Sequence, residues 1–211
     1  YRTKAGARAR GRGIGIALAA HGCAFTGSGE RDLIKGRVGL RKRADDRVEV
    51  LAAGVDMGQG LSTVFRKVVA GALGVPLASV VACPPDTALV PDSGPTIASR
   101  STMVVGHLLE LAALKLKAAW RDGEPAEAWQ DYEHPAHLAW DPVALRGDAY
   151  PAWGWGVNAV EVAVDPATRE VTVVKAWAAY DVGVPVDLLA LEGQAPGGMA
   201  QALGWASIEK L

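Results

Sequence analysis

GQGLSTVFRKVVAGALG, residues 58–74, is the stretch on which the reading of the fold turns. Leu61, Val64, Phe65, Val68, Val69, Ala72 and Leu73 recur at intervals of three and four, which places them along one helical face. Gly74 and Pro76 end that helix, one by adopting a terminating conformation and the other by lacking an N–H. Upstream, residues 36–43 alternate Val38 and Leu40 with Arg37, Arg41 and Arg43, the period of a strand. Asp45-Asp46 turns the chain into residues 47–53 (RVEVLAA), a hairpin partner. Residues 13–25 are apolar with small residues and read as a further strand. Downstream, residues 79–83 (SVVAC) form a short buried strand, and a loop rich in Pro, Asp, Ser and Gly leads into a second helix from about Ser99 to Trp120. That helix is apolar on most sides, so it is expected to be central. Residues 121–152 are polar, contain proline and are read as connecting structure. Residues 157–165 and 170–180 are two strands around the turn Pro166-Ala167-Thr168-Arg169, and residues 187–211 close the chain as a helix crowded with glycine and alanine. The fold class is α+β, with mixed and antiparallel sheets and central helices.

Half of the 211 residues are hydrophobic, 21% are charged and the formal net charge is −1, an ordinary globular composition. The length suffices for one large core or two small ones. A balance so near neutrality offers no footprint for nucleic acid or an anionic membrane. The basic opening (Arg2, Lys4, Arg8, Arg10, Arg12) is interleaved with Gly and Ala, reads as a solvated lead-in and lacks the apolar run of a signal peptide. No stretch approaches the roughly 20 uninterrupted apolar residues of a membrane helix; residues 101–120 are broken by His107, Glu110, Lys115 and Lys117. Cys23 and Cys83 share no CxxC spacing and fall short of the roughly four clustered ligands that zinc or an iron–sulfur cluster takes. Nothing supports a disulfide between them, and a reduced, cytoplasmic setting is expected. Gly11-Arg12-Gly13-Ile14-Gly15 has the look of a dinucleotide glycine loop. That loop needs a helix after it, and His21-Gly22 interrupts the stretch where the helix would have to form.

Three segments in order resemble the molybdopterin-binding subunit of the xanthine dehydrogenase and aldehyde oxidase family, in its C-terminal part. The first is residues 54–63, GVDMGQGLST, followed by Leu73-Gly74-Val75-Pro76 and Asp86-Thr87. The second is residues 90–102, VPDSGPTIASRST, with Gly106 on the helix beyond. The third is Asp181-Val182-Gly183, then Gly193-Gln194 and residues 197–204, GGMAQALG, closing on Glu209. Residues 147–150 and 161–165 are also similar to the family.

The resemblance implies that molybdenum is held by the dithiolene sulfurs of the pterin, so no protein metal ligand is expected. The protein must instead hydrogen-bond a polar heterocycle and a phosphate tail, with or without an attached nucleotide. A glutamine amide both donates and accepts, which suits a pterin edge. Glycines at a helix start bare N–H groups toward an anion, and residues 96–99 repeat this at the start of the second helix. The cofactor-binding residues implied are Met57, Gly58, Gln59, Gly60, Thr63, Thr96, Ile97, Ala98, Ser99 and Gln201. Each also has a plain structural explanation, as a turn glycine, a helix cap or a buried amide. Trp153 and Trp155, two apart on one strand, are better explained by packing than by stacking on a flat substrate.

The implied activity is hydroxylation of an aldehyde or N-heterocycle carbon with water as oxygen source. The family's catalytic glutamate belongs to a Gly-Glu context beyond the third segment, which this sequence does not reach, and Glu209 is not its equivalent. No catalytic residue is therefore assigned, and the chain by itself is expected to be an inactive fragment. Its expected partners are the remainder of the molybdopterin subunit, iron–sulfur and flavin subunits or domains, and a second copy of itself. A partial molybdopterin-binding domain over 1–211 is expected, with two lobes, about 1–120 and 150–211, joined by 121–149. Pro196 inside the last helix, Ala202, Arg169 at a turn position usually held by glycine, and Asp187-Leu188 depart from the family pattern. The alternative reading is a scaffold or assembly module that keeps the fold without binding molybdopterin.

Overall fold

The computed structural model describes residues 11–210; the basic residues Arg2, Lys4, Arg8 and Arg10 lie outside them. The strands are β1 (Arg12–Gly22), β2 (Arg37–Lys42), β3 (Val48–Leu51), β4 (Val80–Ala82), β5 (Ala126–Asp131), β6 (Trp140–Asp141), β7 (Arg146–Gly147), β8 (Trp153–Val164) and β9 (Val171–Asp181). The helices are α1 (Leu61–Leu73), α2 (Gly106–Ala118) and α3 (Leu188–Ser207). A mixed sheet runs β4-β3-β2-β5, a second sheet runs β1-β8-β9, and β6 pairs with β7. This is an α+β protein.

The chain divides into two compact units, 1–21 with 153–211, and 22–152. The boundary expected from sequence falls elsewhere, for two reasons. β1 hydrogen-bonds with β8, far along the chain, so the opening strand belongs with the closing segment. Residues 121–149 are not a connection: β5 is the edge strand beside β2, with Leu40 opposite Ala128 and Val38 opposite Gln130.

In the 22–152 unit, β2 and β3 pair antiparallel and β3 pairs parallel with β4. α1 and α2 bury their apolar faces on this sheet: Leu61, Phe65, Val69 and Leu73 from α1, and Leu108, Leu109, Ala112, Ala113 and Leu116 from α2, meet Val38, Leu40, Val48, Val50 and Val80. Burying each larger aliphatic side chain contributes about 1.5–3 kcal/mol, so this interface dominates the stability of the unit. Lys42 is fully buried at the end of β2. Its ammonium donates to the Arg121 and Glu124 carbonyls at 2.8 and 2.7 Å, pairs with Asp46 and lies over the Trp120 ring. That lysine pins the 121–124 turn to the sheet, which leads the chain into β5.

The second helical stretch begins as a π-type turn over Ser101–Val105 before α2 proper. The helical stretch thus begins at Arg100, one residue from the expected Ser99, directly after Ala98 and Ser99, whose left-handed φ values of 53° and 56° no right-handed helix accommodates. The glycines of residues 11–15 lead into and form β1, not a dinucleotide loop.

In the 1–21/153–211 unit, β8 and β9 pair antiparallel with an irregularity between Glu161 and Val162. Arg169 carries φ 63° in their connecting turn, which is why glycine would suit that position. Asp187 caps α3 by accepting the Ala190 N–H. The helix runs through Pro196 without a break, although the ring removes the donor for the Glu192 carbonyl. No residue of α3 is buried, and Trp155, Trp177, Tyr180, Leu189 and Trp205 are all exposed.

Leu109, 0% exposed on α2, is expected to cost about 2–5 kcal/mol when truncated to alanine. A urea titration of Leu109→Ala followed by circular dichroism measures it, and an unchanged midpoint would contradict this placement of the core.

Candidate functional site

Two loops of the 22–152 unit carry Met57, Gly58, Gln59, Gly60, Thr96, Ile97, Ala98 and Ser99, and Thr63 lies in the first turn of α1, so nine of the ten residues singled out by the family resemblance belong to this unit. The first leaves β3 and enters α1. The second leaves Val90, buried at 7% exposure, and enters the π-type turn. Hydrogen bonds join them directly. The Ser93 hydroxyl, fully buried, accepts the Ala53 N–H at 2.9 Å and donates to the Arg37 carbonyl at 2.8 Å. The Thr96 hydroxyl accepts the Val55 N–H at 3.0 Å, and its own hydrogen remains to donate. The Ala98 carbonyl accepts the Ala24 N–H at 2.9 Å. Gln201 belongs to the other unit, exposed on α3.

The first loop is built around Asp56. Its carboxylate accepts the N–H groups of Gly58 and Gly60, both at 3.1 Å, and of Ser62 at 3.2 Å. Gly58 and Gly60 reach φ values of 106° and 78° with open space where a Cβ would stand. Conformation, not crowding, is what calls for glycine there. Hydrogen bonds from the Ser62 and Gly58 backbone hold the Asp56 carboxyl below its ordinary pKa.

This corrects one expectation. The N–H groups of Gly58 and Gly60 are not bare at the start of α1; an internal carboxylate takes them. A phosphate placed there would meet like charge.

The Gln59 amide is also engaged by its own loop. Its oxygen accepts the Met57 N–H at 2.6 Å and its nitrogen donates to the Val55 carbonyl at 2.8 Å. An amide has two donor and two acceptor positions, so one of each remains for a ligand, in a fixed orientation. Met57 and Ile97 stand 72% and 55% exposed beside these polar groups. The set present is therefore an oriented amide, the Thr96 hydroxyl and two exposed apolar side chains. It fits the edge and face of a flat neutral heterocycle and does not fit an anion at the start of α1.

The left-handed pair Ala98-Ser99 costs about 1–3 kcal/mol per residue and is held by Arg100, which is fully buried. Its guanidinium pairs with both oxygens of Glu30 at 2.7 and 2.9 Å and donates to the Ser93 and Pro95 carbonyls at 2.9 and 3.0 Å. Sequence reading passed over Glu30, Asp56, Ser93 and Arg100 as site-builders. The signal for Asp56 was local, a carboxylate two residues before a glycine pair. Glu30 lies 70 positions from Arg100, and nothing local announces that pair.

A concavity of about 670 Å³ in the 1–21/153–211 unit is lined by Leu18, Trp155 and Tyr180, and one of about 430 Å³ in the 22–152 unit by Met103, His107, Tyr132 and His134. Neither lining includes a residue singled out from the sequence as binding cofactor. Trp153 and Trp155 stack on each other, centroids 6.1 Å apart. Cys23 and Cys83 are free thiols, and burial pushes the Cys83 thiol up. Among the described residues, no cluster of His, Cys, Asp or Glu could hold a metal ion, and no helix is long and apolar enough to cross a membrane.

Ser93 and Thr96 thus pin two glycine-bearing loops side by side on an α+β fold. The chain belongs to the molybdopterin cofactor-binding domain family, whose profile matches residues 1–211. It is 31% identical over 186 residues to xanthine dehydrogenase 2 of Arabidopsis thaliana, covering 79% of this chain and 14% of that protein. It is 28% identical over 207 residues to the putative xanthine dehydrogenase molybdenum-binding subunit of Escherichia coli, covering 82% of this chain and 27% of that subunit. The aldehyde oxidoreductase of Desulfovibrio desulfuricans superposes with a TM-score of 0.80 at 25% identity, over 96% of this chain and 24% of that one. The chain thus spans well under a third of the length of each.

Because the Asp56 pKa is lowered on folding, the order it imposes is present above the ordinary carboxylate range and is lost as pH falls through the lowered value. The protection of the Gly58, Gly60 and Ser62 amides, measured against their intrinsic exchange rates, should fall as pH drops through the lowered Asp56 value. Asp56→Ala should show fast exchange at every pH, and wild-type-like protection in that variant would show that Asp56 does not order the loop.

Proposed function

We propose that this chain is a cofactor-binding part of a molybdenum hydroxylase that oxidises an N-heterocycle or aldehyde, in which residues 57–60 and 96–99 present one wall to the pterin. The observation that supports this most is the direct pinning of the two loops by Ser93 and Thr96, with the Gln59 amide oriented by Val55 and Met57. Gln59 would read the pterin edge with its remaining N–H and lone pair, the Thr96 hydroxyl would donate, and Met57 and Ile97 would cover the ring and exclude water. Gly58, Gly60, Thr63, Ala98 and Ser99 would shape the approach, and Gln201 would contribute a further amide from α3. When bound, the molybdenum cofactor supplies two-electron oxidation of a substrate carbon with water as the oxygen source.

Asp56 sharpens this reading. A phosphate or nucleotide tail would sit away from the start of α1, where the carboxylate already takes the helix donors. The remainder of a molybdopterin subunit would cover the exposed apolar residues of β8, β9 and α3, and iron–sulfur and flavin partners would take the electrons in a cytoplasmic enzyme. Self-association would be the fate of that surface without its cover. The same Asp56 contacts favour one rival, a scaffold that retains the fold with its helix start filled from within.

Losing one amide from the cofactor contact should cost about 1–3 kcal/mol of binding. Gln59→Ala and Gln201→Ala, each introduced into the complete protein in which this chain occurs, should lower molybdenum and pterin content with an unchanged melting profile. Metal analysis and pterin fluorescence measure this. Full cofactor content in both variants would remove Gln59 and Gln201 from the cofactor contact, and a complete wild-type protein without molybdenum or pterin would favour the scaffold.

A further inference from the structure

The buried Glu30–Arg100 pair orders its own surroundings, and its geometry also reaches toward the proposed site. Both partners are essentially inaccessible, 1% and 0% exposed. Two guanidinium nitrogens take the two Glu30 oxygens, and the third reaches the carbonyls of Ser93 and Pro95. The space it fills is left by glycine: a Cβ on Gly94, at φ 81°, would stand 2.8 Å from that third nitrogen, and one on Gly36 would stand 3.3 Å from its neighbour. Directly before Arg100 come Ala98 and Ser99, both left-handed, and residues 93–98 accept from Ala53, Val55 and Ala24. Arg100 therefore grips both ends of a loop whose middle, Thr96 to Ser99, is exposed apart from the half-buried Thr96.

We infer that Glu30 and Arg100 are positioning residues, a clamp that holds the 93–99 loop in the one shape able to present Thr96 and Ser99 to the cofactor. The inference rests on the cofactor reading of that loop, and its own mechanical part can be tested without cofactor. A buried ion pair is a poor device for stability alone, since well-packed apolar replacements often stabilise as much. Its use here is directional. The planar guanidinium fixes two carbonyls and a carboxylate at once, which a methionine or a lysine cannot do.

The test is the Glu30→Leu/Arg100→Met double variant of the full chain, compared with wild type by thermal melting and by hydrogen exchange at Ala24, Ala53, Val55 and Arg100. These amides report the loop, because the first three donate to it and the last donates to Ile97. The clamp predicts a melting temperature close to wild type together with exchange at these amides faster by about tenfold or more, while β2 and β3 stay protected. Wild-type protection at the four amides would overturn it. Should the double variant fail to fold, Arg100→Lys keeps the charge but loses the fork. It must show the same local loosening, and a tight loop in that variant overturns the clamp equally. In the cofactor-loaded complete protein the double variant should also lose molybdenum. A loosened loop with full molybdenum content would leave the clamp mechanics standing and overturn the cofactor role of Thr96 and Ser99.

Discussion

The hydroxyl of Ser93 is the contact on which the arrangement of the two loops depends. It is buried, donates to the Arg37 carbonyl at the start of β2 and accepts the Ala53 N–H just beyond β3. Those two backbone groups lie where the β2–β3 pairing has run out, so neither finds a ladder partner there. One side chain satisfies both. In doing so it brings the 93–99 loop against the 53–60 loop, and the Thr96 contact to Val55 follows from that registration.

The two units differ in how they are stabilised. The 22–152 unit has a layered core, with α1 and α2 on a mixed sheet, and can tolerate polar devices such as Lys42, Ser93 and the Glu30–Arg100 pair inside it. The other unit exposes Ile16, Leu18, Trp155, Trp177 and Leu189 and buries, among its described residues, one charged side chain, Glu161, against Arg12. Apolar exposure on that scale marks a surface built to be covered.

Much of this was legible in the sequence where the signal was local and periodic. The spacing of Leu61, Phe65, Val69 and Leu73 marked out α1 almost to the residue, and the Asp165–Arg169 turn between two alternating runs marked out β8 and β9. β5 was missed because its buried face is Ala128 and Gln130, a small residue and an amide that carry no apolar alternation. The start of the second helix, expected at about Ser99, falls at Arg100, while the left-handed Ala98-Ser99 pair before it carried no local signal. The division into units was missed for a similar reason: β1 finds its place beside β8, a pairing no local pattern encodes. In the loop before α1, the glycine turn was legible, and the allocation of its hydrogen bonds was not. Gly58 and Gly60 are where a donor pair was expected, with Asp56 already holding them.

The central claim is that the adjacent 57–60 and 96–99 loops face the pterin directly. Diffraction from crystals of the complete, cofactor-loaded protein, with anomalous data collected at the molybdenum edge to fix the metal, tests it most directly. The expected result is pterin density within hydrogen-bonding distance of the Gln59 amide and the Thr96 hydroxyl, with its phosphate away from Asp56. Pterin density remote from both loops, or a phosphate seated on the Gly58 and Gly60 N–H groups with Asp56 displaced, would contradict it.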